Sequence, residues 1–185
     1  MEFTEEEAKY VKNFHLLTQK PMLYVANVAE MIWPVLKAMR IWRKSMSMLE
    51  EKAEVIVISA KVEEEIAVLD EDEKEMFLEE LGISESGLDK LIKASYDLLG
   101  LATYFTAGVQ EVRAWTFKKG MTAPECAGII HTDFKKGFIR AETVSYDDLV
   151  SAGSEVKAKE AGKVRLEGKE YIMKDGDVVH FRFNV

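Results

Sequence analysis

Cysteine is nearly missing from the 185 residues: Cys126 stands alone. No internal disulfide and no cysteine-based zinc site can form, and a reducing cytoplasm is the compartment that fits. No apolar run reaches the ~18–20 residues of a membrane span. The first residues, Met1-Glu-Phe-Thr-Glu-Glu-Glu, are acidic where a secretory signal is basic and then apolar. Positive charge is in deficit, with 25 Lys+Arg against 33 Asp+Glu and a net charge of −8. That excludes a generally basic nucleic-acid-coating protein and leaves room for a local basic patch.

Also lacking is G-x-x-x-x-G-K-[ST], the loop whose backbone N–H groups cradle phosphates and whose hydroxyl reaches Mg²⁺. The nearest string, Gly162-Lys-Val-Arg-Leu-Glu-Gly168-Lys169, is one residue too long, and Glu170 stands where the hydroxyl belongs. There is no upstream Asp-x-x-Gly switch segment either. Phosphoryl transfer therefore has neither positioning nor charge stabilisation, and catalysis by this chain alone is not expected. His15, His131 and His180 are too scattered for a metal site.

What is present is globular: 48 % hydrophobic and 31 % charged residues, enough for one domain or two small ones. Thr4-Glu5-Glu6-Glu7 is a capping box, followed by Tyr10, Val11, Phe14 and Leu17 at helical spacing until Pro21. Met22–Ala26 and Val55–Ile58 are continuous apolar runs, the pattern of strands buried on both faces. Acidic amphipathic helices are predicted over Asp70–Leu81 and Ser86–Leu99. Apolar strands alternating with helices indicate a parallel α/β arrangement.

The pattern changes near Gly100. Strands are predicted at Ala102–Thr106, Glu111–Thr116, Phe138–Val144 and Val178–Asn184, with one main helix opened by the capping box Thr122-Ala-Pro-Glu125. Val164–Leu166 and Tyr171–Met173 are read as two strands flanking a turn at Glu167-Gly168-Lys169. The whole is α+β, with a boundary at about residue 100.

Met31–Leu49 stands apart. It contains no Asp or Glu, two of the three Trp and four of the nine Met, beside Lys37, Arg40, Arg43 and Lys44. One reading is an amphipathic or buried helix that covers exposed sheet or mediates a homodimer. The other is a local frameshift. Written in suitable synonymous codons and read one nucleotide earlier, the segment becomes D-D-L-A-R-P-E-G-N-E-N-M-E-K-V-Y-E-Y-A, an acidic loop and an ordinary helix.

Lys20-Pro-Met-Leu-Tyr-Val-Ala-Asn-Val-Ala-Glu30 resembles the base-recognition strand of the YchF (Obg-like) P-loop NTPases, and Ser59-Ala60-Lys61 resembles the next base-contacting loop of Ras-like GTPases. Val112-Arg-Ala-Trp-Thr-Phe-Lys-Lys-Gly-Met-Thr-Ala-Pro-Glu125, Gly128–Glu142 and the ending Asp175–Val185 resemble the same family's terminal domain. The family's acidic loop after the base motif is similar to the alternative-frame peptide.

The resemblance implies a partial Ras-like α/β lobe over 1–100, a remnant of the nucleotide domain, and a β-grasp (ubiquitin-like) TGS domain over 101–185. It implies a ribosome-associated protein whose intact form binds ATP or GTP with Mg²⁺. Base contacts would fall to Asn27, Val28, Glu30, Ser59, Ala60 and Lys61, while no cofactor is expected in this chain by itself. Asn27 and Glu30 form Asn-x-x-Glu where ordinary GTPases have Asn-x-x-Asp, which implies altered specificity with ATP accepted at least as well as GTP. Lys118, Lys119, Lys135, Lys136, Arg140 and Arg182, interleaved with Trp115, Phe134 and Phe138, are candidates for RNA or ribosome contact. From the residues alone they can equally be a solvated face over an aromatic core.

Overall fold

A computed structural model describes residues 3–29, 32, 44, 53–108 and 111–184. Glu30 and all of Met31–Leu49 except Ile32 and Lys44 lie outside the described residues, and with them the covering helix, the homodimer surface and the frameshifted stretch. The chain divides into two compact units, Met1–Leu98 and Leu99–Val185.

The first unit opens with α1 (Glu5–Lys12). Its capping box is formed: the Glu7 carboxylate accepts from the Thr4 backbone N–H and hydroxyl, both at 2.9 Å. The helix stops well short of the predicted Pro21. Asn13 caps it, and His15 takes a left-handed φ of 50° that a continuing helix cannot contain. Tyr10, Phe14 and Leu17 are left exposed.

Strand β1 (Tyr24–Asn27) pairs in parallel with β2 (Val55–Ile58), with Tyr24 opposite Val55 and Asn27 opposite Ile58. The expectation that both faces of the first strand are buried does not hold. Tyr24 and Ala26 are half-buried while Val25 and Asn27 are exposed, because among the described residues β1 has one neighbouring strand and nothing covers its second face. Three helices follow: α2 (Ala60–Ile66), α3 (Glu71–Glu80) and α4 (Gly87–Leu98). Val62, Ile66 and Leu78 form a small core with Phe77, Leu81 and Ile83 against it.

The second unit has five strands. They are β3 (Leu101–Ala107), β4 (Val112–Lys118), β5 (Phe138–Ser145), β6 (Arg165–Glu167) and β7 (Asp177–Phe183), in the spatial order β4-β3-β7-β5-β6. The first and last strands meet in parallel at the centre, and the remaining pairs are antiparallel. With α5 (Ala123–Ile130) crossing one face, this is the β-grasp arrangement. Three short helices complete it: α6 (Thr132–Lys136), α7 (Tyr146–Ala152) and α8 (Glu155–Glu160).

Alternation along the strands builds the core. Val179 and Phe181 of β7 turn inward, while His180 and Arg182 turn outward and are exposed. They join Ala102, Tyr104, Phe117, Phe138, Ala141 and the buried side of α5. Each large apolar side chain so buried contributes about 1.5–3 kcal/mol. Tyr104 is fully buried, with ring centroids 5.8 Å from Phe117 and 5.9 Å from Phe181. Its hydroxyl donates to the Cys126 carbonyl at 2.9 Å, so no polar group is stranded there.

A turn forms beside Gly168, whose carbonyl accepts the Tyr171 N–H at 3.2 Å, but the segments flanking it do not pair with each other. Arg165–Glu167 pairs with β5, and Ile172 makes an isolated bridge to Thr122. The reason is a buried polar knot that draws the second segment inward. The Tyr171 hydroxyl donates to Asp177 at 2.8 Å, Arg165 reaches the same carboxylate at 3.4 Å, and Met173 is buried.

Candidate functional site

In the first unit the parallel pairing of β1 and β2 brings the ends of the two base-type segments side by side. The Val28 N–H donates to the Ile58 carbonyl at 2.9 Å, continuing the ladder past the strand. The Asn27 side-chain Oδ1 accepts the Ala60 N–H at 3.0 Å, which ties one segment directly to the other. Its amide NH₂ is a further donor group at the exposed end of β1.

Ser59 is the N-cap residue of α2, yet its hydroxyl makes no capping bond. The residue is 2 % exposed, and its Oγ has no hydrogen-bond partner among the described residues. A buried hydroxyl without a partner costs about 1–3 kcal/mol, and at 2 % exposure Ser59 is closed to a ligand in this arrangement. Lys61 is exposed and lies 3.6 Å from Glu65. Of the six predicted base-contact residues, Asn27, Val28, Ser59, Ala60 and Lys61 therefore cluster at one end of the strand pair.

Glu63, which sequence reasoning missed, braces this corner. Its carboxylate accepts the N–H groups of Gly87 at 2.7 Å and Leu88 at 3.1 Å, satisfying two free donors at the start of α4. The approach is close because residue 87 is glycine: a Cβ there would lie 2.6 Å from Ile58 Cγ2. Glu63 is 24 positions from Gly87, so no local spacing signals the pairing.

The basic residues of the second unit do not form one patch. Arg140 and Arg182 are cross-strand neighbours on β5 and β7. The Arg182 guanidinium donates to both Glu142 oxygens, at 3.0 and 3.2 Å, so its charge is matched and the Glu142 carboxyl is held below the usual carboxylate range. Lys135 and Lys136 sit on α6, the latter 4.0 Å from Asp133. Lys118 is paired with Leu101, four residues before Phe105, whereas Arg182 lies four residues past the Val178 that Phe105 faces. At about 3.3 Å per residue the two are roughly 25 Å apart along the sheet.

The interleaved aromatics are engaged in packing. Phe138 is 4 % exposed, Trp115 donates its Nε1–H to Thr106 at 3.0 Å, and Phe134 stacks on Phe183 at 3.8 Å. Cys126 is fully buried, and that burial pushes its thiol up to about 12. No His, Cys, Asp and Glu cluster suited to a metal occurs among the described residues.

The fold defines a class: a unit with a parallel strand pair and helices, followed in the same chain by a β-grasp unit. Residues 101–184 match the YchF-GTPase_C family, described as a protein of unknown function (DUF933). The chain is 67 % identical over 186 residues to the "Ribosome-binding ATPase YchF" of Bacillus subtilis (strain 168), covering all of this chain and 51 % of that protein. It is 49 % identical to the protein of the same name in Escherichia coli O157:H7, again over its full length and 50 % of the relative. The solved Schizosaccharomyces pombe YchF GTPase superposes with a TM-score of 0.81 at 34 % identity, over 98 % of this chain and 48 % of that one. This chain belongs to the YchF family and spans about half the length of the relatives it matches.

Proposed function

We propose that this chain carries the base-recognising corner and the TGS domain of a cytoplasmic, ribosome-associated, ATP- or GTP-binding protein, and that it does not hydrolyse nucleotide by itself. The observation that carries the reading is the Asn27–Ala60 hydrogen bond, which holds the two base-type segments together. These groups suit the base end of a nucleotide. Asn27, Val28 and the Ser59–Lys61 turn would hold the base, with Glu30 as the carboxylate of Asn-x-x-Glu. Mg²⁺ and the phosphates would need groups of the G-x-x-x-x-G-K-[ST] kind, which the sequence lacks.

A base clamp supplies ~0.5–1.5 kcal/mol net for each neutral hydrogen bond, while association costs about 4 kcal/mol or more. The balance gives millimolar affinity at best. Calorimetry with ATP and GTP at on the order of 100 µM protein, together with phosphate release, tests the reading. The expected result is no turnover and no micromolar binding. Turnover above background would overturn the non-catalytic part, and micromolar affinity would overturn the millimolar limit.

A second reading is a non-enzymatic β-grasp module that binds RNA or a protein. It is favoured by the second unit's having its own core. Co-sedimentation of the chain with ribosomes, with and without nucleotide, separates the two readings.

A further inference from the structure

The central strand of the second unit outruns its neighbour. β7 extends to Phe183, but its register with β3 consists of the single pair Phe105–Val178, and β3 ends at Ala107, two residues further on. On the β5 side β7 is matched along its whole length. The Asn184 N–H donates to the Gly137 carbonyl at 2.9 Å, on the β5 side. Peptide groups alternate sides along a strand, so those of Arg182 also face β5, and those of Phe181 and Phe183 face away from it. Among the described residues, no strand pairs with this last stretch of β7 on that side.

A groove of about 680 Å³ runs along this edge. Phe181, Phe183, Ile130 and Phe134 line it, with the Phe134 ring stacked on Phe183, and the end of β3 bounds it at Ala107 and Gly108. The described lining includes Glu111, whose carboxylate lies 3.9 Å from Arg113, and no Lys or Arg, so it offers no lysine or arginine to a phosphate backbone. A row of main-chain donors and acceptors beside an apolar trough suits an extended peptide that adds to the sheet.

We propose that the β7 edge from His180 to Phe183 is a docking site for an extended protein segment. The segment pairs its main chain with Phe181 and Phe183, places alternate apolar side chains against Phe134 and Ile130, and sets a basic residue opposite Glu111. This does not depend on the nucleotide reading, because it uses only the second unit.

The test uses the full chain, ¹⁵N-labelled, with the peptide acetyl-Lys-Val-Thr-Val-Thr-Val-amide as probe. Two further peptides carry N-methyl groups at the Val or at the Thr positions, removing the donors of one edge at a time. Shifts should concentrate on Thr106–Gly108, Ile130–Phe134 and Val179–Phe183. One methylated register should weaken binding by about tenfold or more and the other should leave it near the parent. Four outcomes overturn the proposal: no shift at about 2 mM peptide, where sequence-tolerant main-chain pairing should register; shifts mapping elsewhere; equal sensitivity to both methylated registers; or oligouridylate producing the same shifts more tightly than peptide.

Discussion

Gly137 and Asn184 press main chain against main chain. The Asn184 N–H donates to the Gly137 carbonyl at 2.9 Å, and a Cβ on residue 137 would overlap the Asn184 carbonyl oxygen. The φ of Gly137 is −88°, which any residue adopts, so the requirement for glycine is steric and comes from the partner strand. Gly137→Ala must displace the end of β7 and should destabilise the second unit by about 1–3 kcal/mol. Urea unfolding in a Trp33→Phe, Trp42→Phe background, where Trp115 is the remaining tryptophan, gives the figure by fluorescence. Gly168→Ala, with open space around it, is the control, and equal stability of the two variants would contradict this account.

The buried knot at Asp177 should be more sensitive. This carboxylate is 2 % exposed and accepts from the Tyr171 hydroxyl, the Lys174 N–H at 3.0 Å and Arg165. Asp177→Ala strands these donors and is expected to cost about 3–5 kcal/mol, whereas Tyr171→Phe should cost about 1–3 kcal/mol. Thermal melts of both variants at neutral pH check the ranking.

Stability should fall at both ends of the pH scale. The carboxyls of Glu142, Asp89 and Asp148 are held below their ordinary values in the folded chain, by hydrogen bonds from Arg182, Ser86 and Ser145 respectively. A depressed folded value stabilises above the unfolded one, so their contribution is complete above about pH 5 and declines as pH falls through about 4 and below. Burial raises the Cys126 thiol and the Tyr171 phenol, each to about 12. Both are neutral in the fold, so stability should also decline as pH climbs past the ordinary thiol value of about 8.5. Denaturant midpoints from pH 3 to 10, with Arg182→Ala flattening part of the acid limb, are the relevant measurement.

The same thiol gives a kinetic prediction. Cys126 should react with a disulfide reagent at pH 8 only as fast as the second unit opens, and on the order of a hundredfold faster in denaturant. Rapid labelling of the native chain would contradict the burial.

The two units should differ in independence. Among the described residues, 101–185 have an eleven-residue buried core, whereas the first unit has three buried residues in its cluster and exposes Val25, Leu88 and Ile92. Residues 101–185 expressed alone should melt cooperatively, while 1–100 alone should aggregate or show no cooperative transition. A soluble 1–100 fragment with a sharp melt would refute this.

Local chemistry was the legible part of the fold. Thr4 with Glu7 and Thr122 with Glu125 announced two helix starts, and the alternation Val179, Phe181, Phe183 announced a half-buried strand. The helices α7 and α8 also carry a local signal: Ser145 and Ser154 cap them, and Gly153 ends the first with a φ of 74°. What local reading could not supply was long-range closure. Tyr171–Met173 has strand-like residues, but its backbone goes to Ala123 and Met121, some fifty positions away. Helix α2 was hidden because Ser59-Ala60-Lys61 was read as a loop, when Ala60 opens the helix. At the candidate site the residue types were readable from spacing, whereas the Glu63 brace and the roughly 25 Å between Lys118 and Arg182 depend on tertiary register.

The parallel contact of β3 with β7 has a consequence for how the protein is made. The strand at the middle of the sheet is synthesised after all the others, so the hairpin of β3 and β4 waits with its inner side unpaired while β5 and β6 emerge. Its hydrophobic face can close only when residues near 183 have cleared the exit tunnel. Folding of this unit therefore waits for its last strand and has a large loop to close, slow for its size. A nascent chain stalled before β7 emerges should present an exposed half-sheet to chaperones and proteases.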